Sequence, residues 1–63
     1  MLTRRQIEIL SLVAEGKTSP EIAEILAISR RTVDVHIDAV IQRMGARNRP
    51  QAVAIALQKQ IIK

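Results

Sequence analysis

Five side chains between Arg31 and Gln42 recur at spacings of three or four residues, which places them on one face of an α-helix. They are a guanidinium, two carboxylates, an amide and one β-branched apolar group: Arg31, Asp34, Asp38, Gln42 and Val35. Together these groups can donate and accept hydrogen bonds and contact a methyl group, which is the chemistry of recognition. Four apolar residues at the same periodicity lie nearly opposite: Val33, Ile37, Val40 and Met44. The pattern therefore predicts a helix that buries one face and presents the other to a partner.

The sequence offers little material for catalysis or metal binding. It contains no cysteine, one histidine and no glycine-rich phosphate loop. A lone histidine lacks the partners for a metal site or a catalytic triad, so we expect His36 to be structural or to contact a phosphate. Glu21 and Glu24 are expected to be exposed, solubilising charges. We therefore predict no enzymatic activity, no cofactor and no metal site.

Charge and composition narrow the class of partner. Ten Lys and Arg against six Asp and Glu give a net charge of +4, which suits a polyanion. Phe, Tyr and Trp are absent, whereas modules that bind RNA or single strands usually stack bases on aromatic rings. Duplex DNA is therefore favoured. Because the chain has no secretory signal and no apolar run of about 18 residues, we expect a soluble, cytoplasmic domain that does not associate with membranes.

Capping residues divide the chain into four helices. Amino-terminal caps are predicted at four points: Thr3 with Gln6, Thr18 with Glu21, Ser29, and Asn48 with Gln51. Gly16 and Gly45 are predicted to end the first and third helices. The helices are expected at about residues 4–15, 19–26, 30–44 and 49–60, which makes the fold all-α. A turn over residues 27–29 joins the second and third helices into a helix-turn-helix, in which the second of the pair lies in the major groove of DNA.

The first and fourth helices carry more apolar surface than one contact needs. Apolar residues cover more than half of the circumference of the first helix, which predicts burial on two sides. Residues 52–57 of the fourth helix, AVAIAL, are apolar all round. We assign Ala52, Val53 and Ala56 to the core. The remaining stripe is expected to form a homodimer interface, the alternative being that it packs on another domain: Ala54, Leu57, Gln58 and Ile61.

At this point the residues resemble the LuxR-type carboxy-terminal DNA-binding domain over essentially the whole chain. The matching blocks are LTxRxxEIL from Leu2, AEG from Ala14, EIAxxL from Glu21, ISxxTVxxHI from Ile28 and RMGAxNR from Arg43. The resemblance implies that the third helix enters the major groove, that the second helix and the loops hold phosphates, and that the fourth helix pairs with its copy across a two-fold axis. Such domains belong to activators and repressors of bacterial transcription that usually carry an upstream receiver or small-molecule domain.

The sequence departs from that family pattern at four positions. Gln6 stands where members often have Glu, and Pro20 where they often have Lys. Asp34 and Asp38 occupy positions at which members often carry a long basic residue. Base specificity therefore cannot be carried over from the family.

Ten residues form the candidate DNA-binding set. They are Lys17, Thr18, Arg30, Arg31, Thr32, Asp34, Val35, His36, Asp38 and Arg43. Arginine can bind guanine with two hydrogen bonds, valine can contact a thymine methyl, and a carboxylate can accept from the amino group of cytosine. The aspartates have a second interpretation, since Arg30 and Arg31 stand four and three residues before Asp34 and can pair with it. Both interpretations stay open.

The sequence thus predicts that residues 1–63 form one domain, the carboxy-terminal part of a longer regulator. It would bind duplex DNA sequence-specifically as a homodimer and regulate transcription, with RNA polymerase as a further candidate partner. Two alternatives stay open: a promoter-binding domain like those of sigma factors, and a dimerisation module that binds no DNA and inhibits a related regulator. The stretch Asp34-Val35-His36 and the ending Ile61-Ile62 look like the quorum-sensing branch, which favours small-molecule sensing over phosphorylation.

Overall fold

The computed structural model describes residues 1–63 and contains four α-helices and no β-strand. The helices are α1 (Arg4–Ala14), α2 (Ser19–Leu26), α3 (Arg30–Met44) and α4 (Arg49–Gln58). The predicted all-α fold and the bounds of α2 and α3 are confirmed. The first helix ends one residue earlier than expected, and the last ends two residues earlier. None of the four is both long and apolar enough to cross a membrane.

Three of the four predicted amino-terminal caps form as expected, and the fourth differs in one bond. The formed caps are the reciprocal boxes of Thr3 with Gln6 and Thr18 with Glu21, and the Ser29 hydroxyl that accepts from the Thr32 N–H at 3.0 Å. At α4, Asn48 Oδ1 accepts from the Gln51 N–H at 2.9 Å. The Gln51 side chain, however, accepts from the Arg47 N–H at 2.5 Å instead of returning to Asn48. This cap therefore also fixes the residue before the helix.

Each of the four helices is followed, within two residues of its last residue, by a residue with positive φ. These residues are Gly16, Ala27, Gly45 and Gln60. After α4, the Gln60 N–H donates to the Leu57 carbonyl at 3.1 Å and the Ile61 N–H donates to the Ala56 carbonyl at 2.8 Å. This pair of bonds is the Schellman motif, which satisfies carbonyls that the helix leaves free. The sequence indicated only the two glycines, because Ala and Gln are uncommon in this conformation.

The core consists of two apolar clusters that share α1 and α3. The first joins these helices to α2 and contains Ile9, Ile22, Ala23, Val33 and Ile37. The second joins them to α4 and the tail and contains Leu10, Val40, Ala52, Ala56 and Ile62. Ile9 and Leu10 are neighbours on α1 and enter different clusters, which confirms that this helix is buried on two sides. The helices α2 and α4 share no packing contact of their own.

The tail after α4 folds back onto the second cluster. Ile62 is buried, and Ile61 is half-buried and packs beside it. The predicted interface stripe therefore cannot run along the helix as far as Ile61, because α4 ends at Gln58 and the chain turns at Gln60. Ala54, Leu57 and Gln58 remain exposed on α4.

Candidate nucleic-acid interface

The helix α3 is held by its inner face and leaves its outer face free. Val33, Ile37 and Val40 are buried in the two clusters. On the other side, Val35 is 59% exposed, and Arg31, Asp38 and Gln42 are exposed. The turn that starts the helix is fixed at both ends, by the left-handed Ala27 and by the Ser29 cap. The two predicted faces of this helix are confirmed, except at Asp34.

The first turn of α3 contains three exposed residues, Arg30, Arg31 and Thr32. The N–H groups at the start of a helix and nearby positive side chains both attract an anion such as a phosphate. Neither arginine forms an ion pair: the two ion pairs of the structure join Arg5 to Glu8 and Arg49 to Asp34. The sequence-based alternative that Arg30 and Arg31 pair with Asp34 is therefore wrong. Their guanidinium groups are free to bind a partner.

Asp34 is bound instead by residues from two other helices. Its Oδ1 accepts from the Ser19 hydroxyl of α2 at 2.7 Å and from the Arg49 guanidinium of α4 at 3.2 Å. Arg49 also donates to the Ser19 oxygen at 3.2 Å, which closes a triangle of contacts that we call the Ser19–Asp34–Arg49 cluster. The Ser19 hydrogen bond, followed by the positive charge of Arg49, holds the pKa of the Asp34 carboxyl below its usual value.

The position of Asp34 on the helix explains this pairing. At about 100° per residue, it lies about 90° from the centre of the buried face, on the border between the two faces. Its side chain is accordingly half-exposed, at 48%. The placement of Asp34 opposite the core was therefore wrong. Asp38 is nearer the middle of the outer face, where it is exposed and forms no ion pair.

The amino terminus of α2 places Lys17 and Thr18 at the surface. The Thr18 hydroxyl caps the Glu21 N–H at 3.3 Å, and the Glu21 carboxylate accepts from the Thr18 N–H at 2.8 Å. The Thr18 N–H that donates to the carboxylate, followed by the Thr18 hydroxyl and a smaller contribution from the nearby charge of Lys17, lowers the pKa of Glu21. Thr18 is thus a cap, as predicted, and its contact with a phosphate stays a prediction.

The remaining two candidates lie apart from the exposed face of α3. Arg43 is in the last turn of the helix, about 20 Å along its axis from Arg30. Its guanidinium donates to the Met1 carbonyl at 2.6 Å and borders an apolar groove of about 340 Å³ between the start of α1 and the end of α4. His36 is half-buried at the edge of the core. The structure thus does not bring Arg43 together with the other arginines of the set.

Two residues of this region were not among the candidates. Ser19 is buried, at 8% exposure, and Arg49 is half-buried. The sequence placed neither residue in the candidate DNA-binding set. Their partner Asp34 lies 15 residues from each of them along the chain, so no local spacing connects the three. Periodicity could only have shown that Asp34 lies beside the buried face.

Two helices joined by a three-residue turn, with a buried inner face and an exposed polar face on the second, define a helix-turn-helix DNA-binding domain. The family model for bacterial regulatory proteins of the luxR family matches residues 1–56. The chain belongs to the LuxR family and is a DNA-binding domain of its transcriptional regulators.

Known relatives agree with this assignment. The chain is 43% identical over 61 residues to the transcriptional activator protein BjaR1 of Bradyrhizobium diazoefficiens, covering 97% of this chain and 25% of that protein. It is 36% identical over 63 residues to the oxygen regulatory protein NreC of Staphylococcus aureus, covering 100% and 29%. The chain thus spans less than a third of the length of these curated relatives.

Solved structures show the same fold. The transcription factor GerE has a TM-score of 0.95 at 34% identity, covering 98% of this chain and 92% of that one. The response regulator ChrA of a heme-sensing two-component system has a TM-score of 0.94 at 34% identity, covering 98% and 31%. The four-helix architecture therefore occurs both over nearly the whole length of a chain and as a part of a longer one.

Proposed function

We propose that this domain binds duplex DNA sequence-specifically as a homodimer in the bacterial cytoplasm and regulates transcription, with α3 in the major groove. The observation that carries the proposal is the difference between the two faces of α3. Its inner face is buried in both clusters. On the outer face Val35 is exposed, and Arg31 and Asp38 are exposed and form no ion pair within the chain. A rigid helix with a free polar face is what major-groove recognition requires.

The exposed residues divide by chemistry into base contacts and phosphate contacts. Arg31 is proposed to bind a guanine edge, Val35 a thymine methyl, and Asp38 a cytosine amino group. The phosphate contacts are proposed to come from the starts of α2 and α3 and from the flanks of α3: Lys17, Thr18, Arg30, Thr32, His36 and Arg43. Contacts to phosphate fix the position of the domain, and contacts to base edges supply specificity.

Homodimerisation is proposed to use the exposed side of α4. Leu57 is 47% exposed beside Ala54 and Gln58. An apolar helix face of this kind is stabilised by covering it with a second copy, and a two-fold axis then makes the same patch meet itself. We propose that Ile61 lies at the rim of this interface, because it already packs against its own chain.

Selection of bound duplexes from a random-sequence pool tests the proposal. We expect one enriched sequence with two-fold symmetry, and an affinity that falls linearly with the logarithm of salt concentration. Enrichment without symmetry would argue against the dimer. Failure to bind any duplex at low salt would contradict the proposed function and favour a module that dimerises with a related regulator.

The curated relatives are three to four times longer than this chain, which supports a sensor domain elsewhere in the same protein. We propose a small-molecule sensor of the quorum-sensing type, on the sequence features described above, and contact with RNA polymerase at the promoter. A full-length protein whose DNA affinity responds to phosphorylation and to no extracted small molecule would contradict the proposed type of sensor.

A further inference from the structure

The Ser19–Asp34–Arg49 cluster is a polar contact that joins three helices. Ser19 is the first residue of α2, Asp34 lies in the second turn of α3, and Arg49 is the first residue of α4. The helices α2 and α4 do not pack on each other, so the Arg49 to Ser19 hydrogen bond links elements that the apolar core leaves separate. Each of the three side chains contacts both of the others.

The geometry points to a constraint on the direction of α3. Ser19 is buried and serves as a fixed point, whereas Asp34 and Arg49 are half-exposed, with side chains 48% and 43% accessible. A half-exposed ion pair adds little to the free energy of folding. Two donors from different helices on one oxygen nevertheless restrict how the amino-terminal half of α3 can tilt or rotate.

On the basis of the DNA-binding function proposed above, we propose that Asp34 is a positioning residue and not a base contact. With Ser19 and Arg49 it sets the orientation of α3 relative to α2 and α4, and so places Arg31, Val35 and Asp38 against the base edges. Its carboxylate is directed to the neighbouring helices, where it accepts from Ser19 and Arg49. Misplacement of a reading helix weakens every base contact together, without changing which bases are preferred.

Asp38 is the matched comparison within the same helix. It is also an aspartate, it lies one turn further on, and it has no ion pair in the chain. If charge near DNA were all that mattered, Asp34 and Asp38 would behave alike. The proposal instead gives them different roles, so substitution of each must have a different result.

A double-mutant cycle on the chain tests the proposal. The variants are Asp34→Ala, Arg49→Ala and the double variant, with Asp38→Ala as the control. For each, we would measure the ratio of affinities for the duplex selected by the wild type and for a scrambled duplex, the slope of affinity against salt, and the sequence re-selected from a random pool. Circular dichroism melting checks that each variant is folded.

We expect Asp34→Ala and Arg49→Ala each to lower the affinity ratio about fivefold, and the double variant to lower it by the same factor, because residues in one network are not additive. The re-selected sequence and the salt slope should stay as in the wild type. Asp38→Ala should instead change the preferred base at one position.

Three results would overturn the proposal. A changed base preference in Asp34→Ala would make Asp34 a base contact. A salt slope reduced by about one in Arg49→Ala would make Arg49 a phosphate contact. Losses that multiply to about 25-fold in the double variant would show that the two residues act independently. These results differ from failure of the proposed function, in which the wild type itself selects no duplex.

Discussion

The arginines of α3 show how local pairing decides what a side chain can bind. Arg30 and Arg31 precede an acidic residue at helical spacing, yet that residue turns to Ser19 and Arg49. The two guanidinium groups therefore keep all their donors for another molecule. Arg43, by contrast, already donates to the Met1 carbonyl. These differences in bonding lead to different expectations for the same substitution.

Arg31→Ala is expected to lower affinity for the selected duplex about tenfold or more, and affinity for unrelated duplexes much less, because a bidentate guanine contact discriminates by about 1–3 kcal/mol. Arg43→Ala is the control and should weaken both affinities alike, with a shallower salt dependence. Titrations of both duplexes at several salt concentrations measure this. Equal losses for the two variants on both duplexes would show that Arg31 reads no base.

Glu21 makes the stability of the fold sensitive to acid. Its pKa is lowered in the folded state, so the folded state favours the ionised form. The stabilisation is complete above the unfolded pKa and is lost as the pH falls through the lower pKa of the folded state. Glu21→Gln keeps a side chain that can complete the capping box. Its free energy of unfolding should therefore fall less as the pH is lowered from above to below about 4.3, the ordinary pKa of a glutamate.

Urea unfolding across that pH range measures the effect. Glu24→Gln, an exposed change on the same helix, is the matched control and should follow the wild-type profile. Asp34, whose pKa is also lowered, keeps part of the acid sensitivity in both variants. A Glu21→Gln profile identical to that of the wild type would show that the cap is not linked to ionisation.

How well single residues could be predicted depended on the sequence distance of their partners. The caps at Thr3, Thr18 and Ser29 use partners three residues away, and the sequence showed each of them. The bond that the Arg47 N–H donates to the Gln51 side chain was missed because the N–H groups of two neighbouring residues compete for one acceptor. The Ser19–Asp34–Arg49 cluster was missed because it forms only when three helices pack, which no local pattern encodes.

At the scale of the elements, hydrophobic periodicity and caps were enough to predict the four helices. The carboxy-terminal ends were harder, because Ala27 and Gln60 take a left-handed conformation that their side chains disfavour. Packing explains both cases. Ile28 and Ile62 follow these turns and join the two apolar clusters, and this burial offsets the local strain. The fourth helix was predicted too long because Gln60 gives no sequence signal for a stop.

Ala27→Gly is expected to raise the free energy of unfolding by about 1 kcal/mol, because glycine adopts the left-handed region without the cost of about 1–2 kcal/mol that Cβ imposes. For a domain of this size that corresponds to about 5 °C in the melting temperature. Gly16→Ala is the reciprocal control, with φ of +89° and open space around the position, and should lower stability. Thermal melts of both variants measure the effect, and equal signs for the two would contradict it.

At the scale of the whole molecule, a small chain divides its apolar residues between an interior and a surface. The interior lies around α1 and α3, which contribute buried residues to both apolar clusters. On the other two helices, one large apolar side chain each stays about half exposed: Ile25 on α2 at 53% and Leu57 on α4 at 47%. They are similar in size and exposure. Leu57, however, has exposed Ala54 one turn before it on a helix whose residues 52–57 are all apolar, which favours α4 as the surface for a second copy.

Leu57→Glu is therefore expected to shift the domain to a monomer without unfolding it, because a carboxylate would be buried against its own copy across the two-fold axis. Ile25→Glu introduces the same charge at equal exposure and should leave the association state unchanged. Sedimentation equilibrium measures association, and circular dichroism verifies folding. If Leu57→Glu unfolded the chain, Leu57 would belong to the core. If both variants stayed dimeric, the pairing surface would lie outside α4, and the predicted symmetry of the DNA site would need another origin.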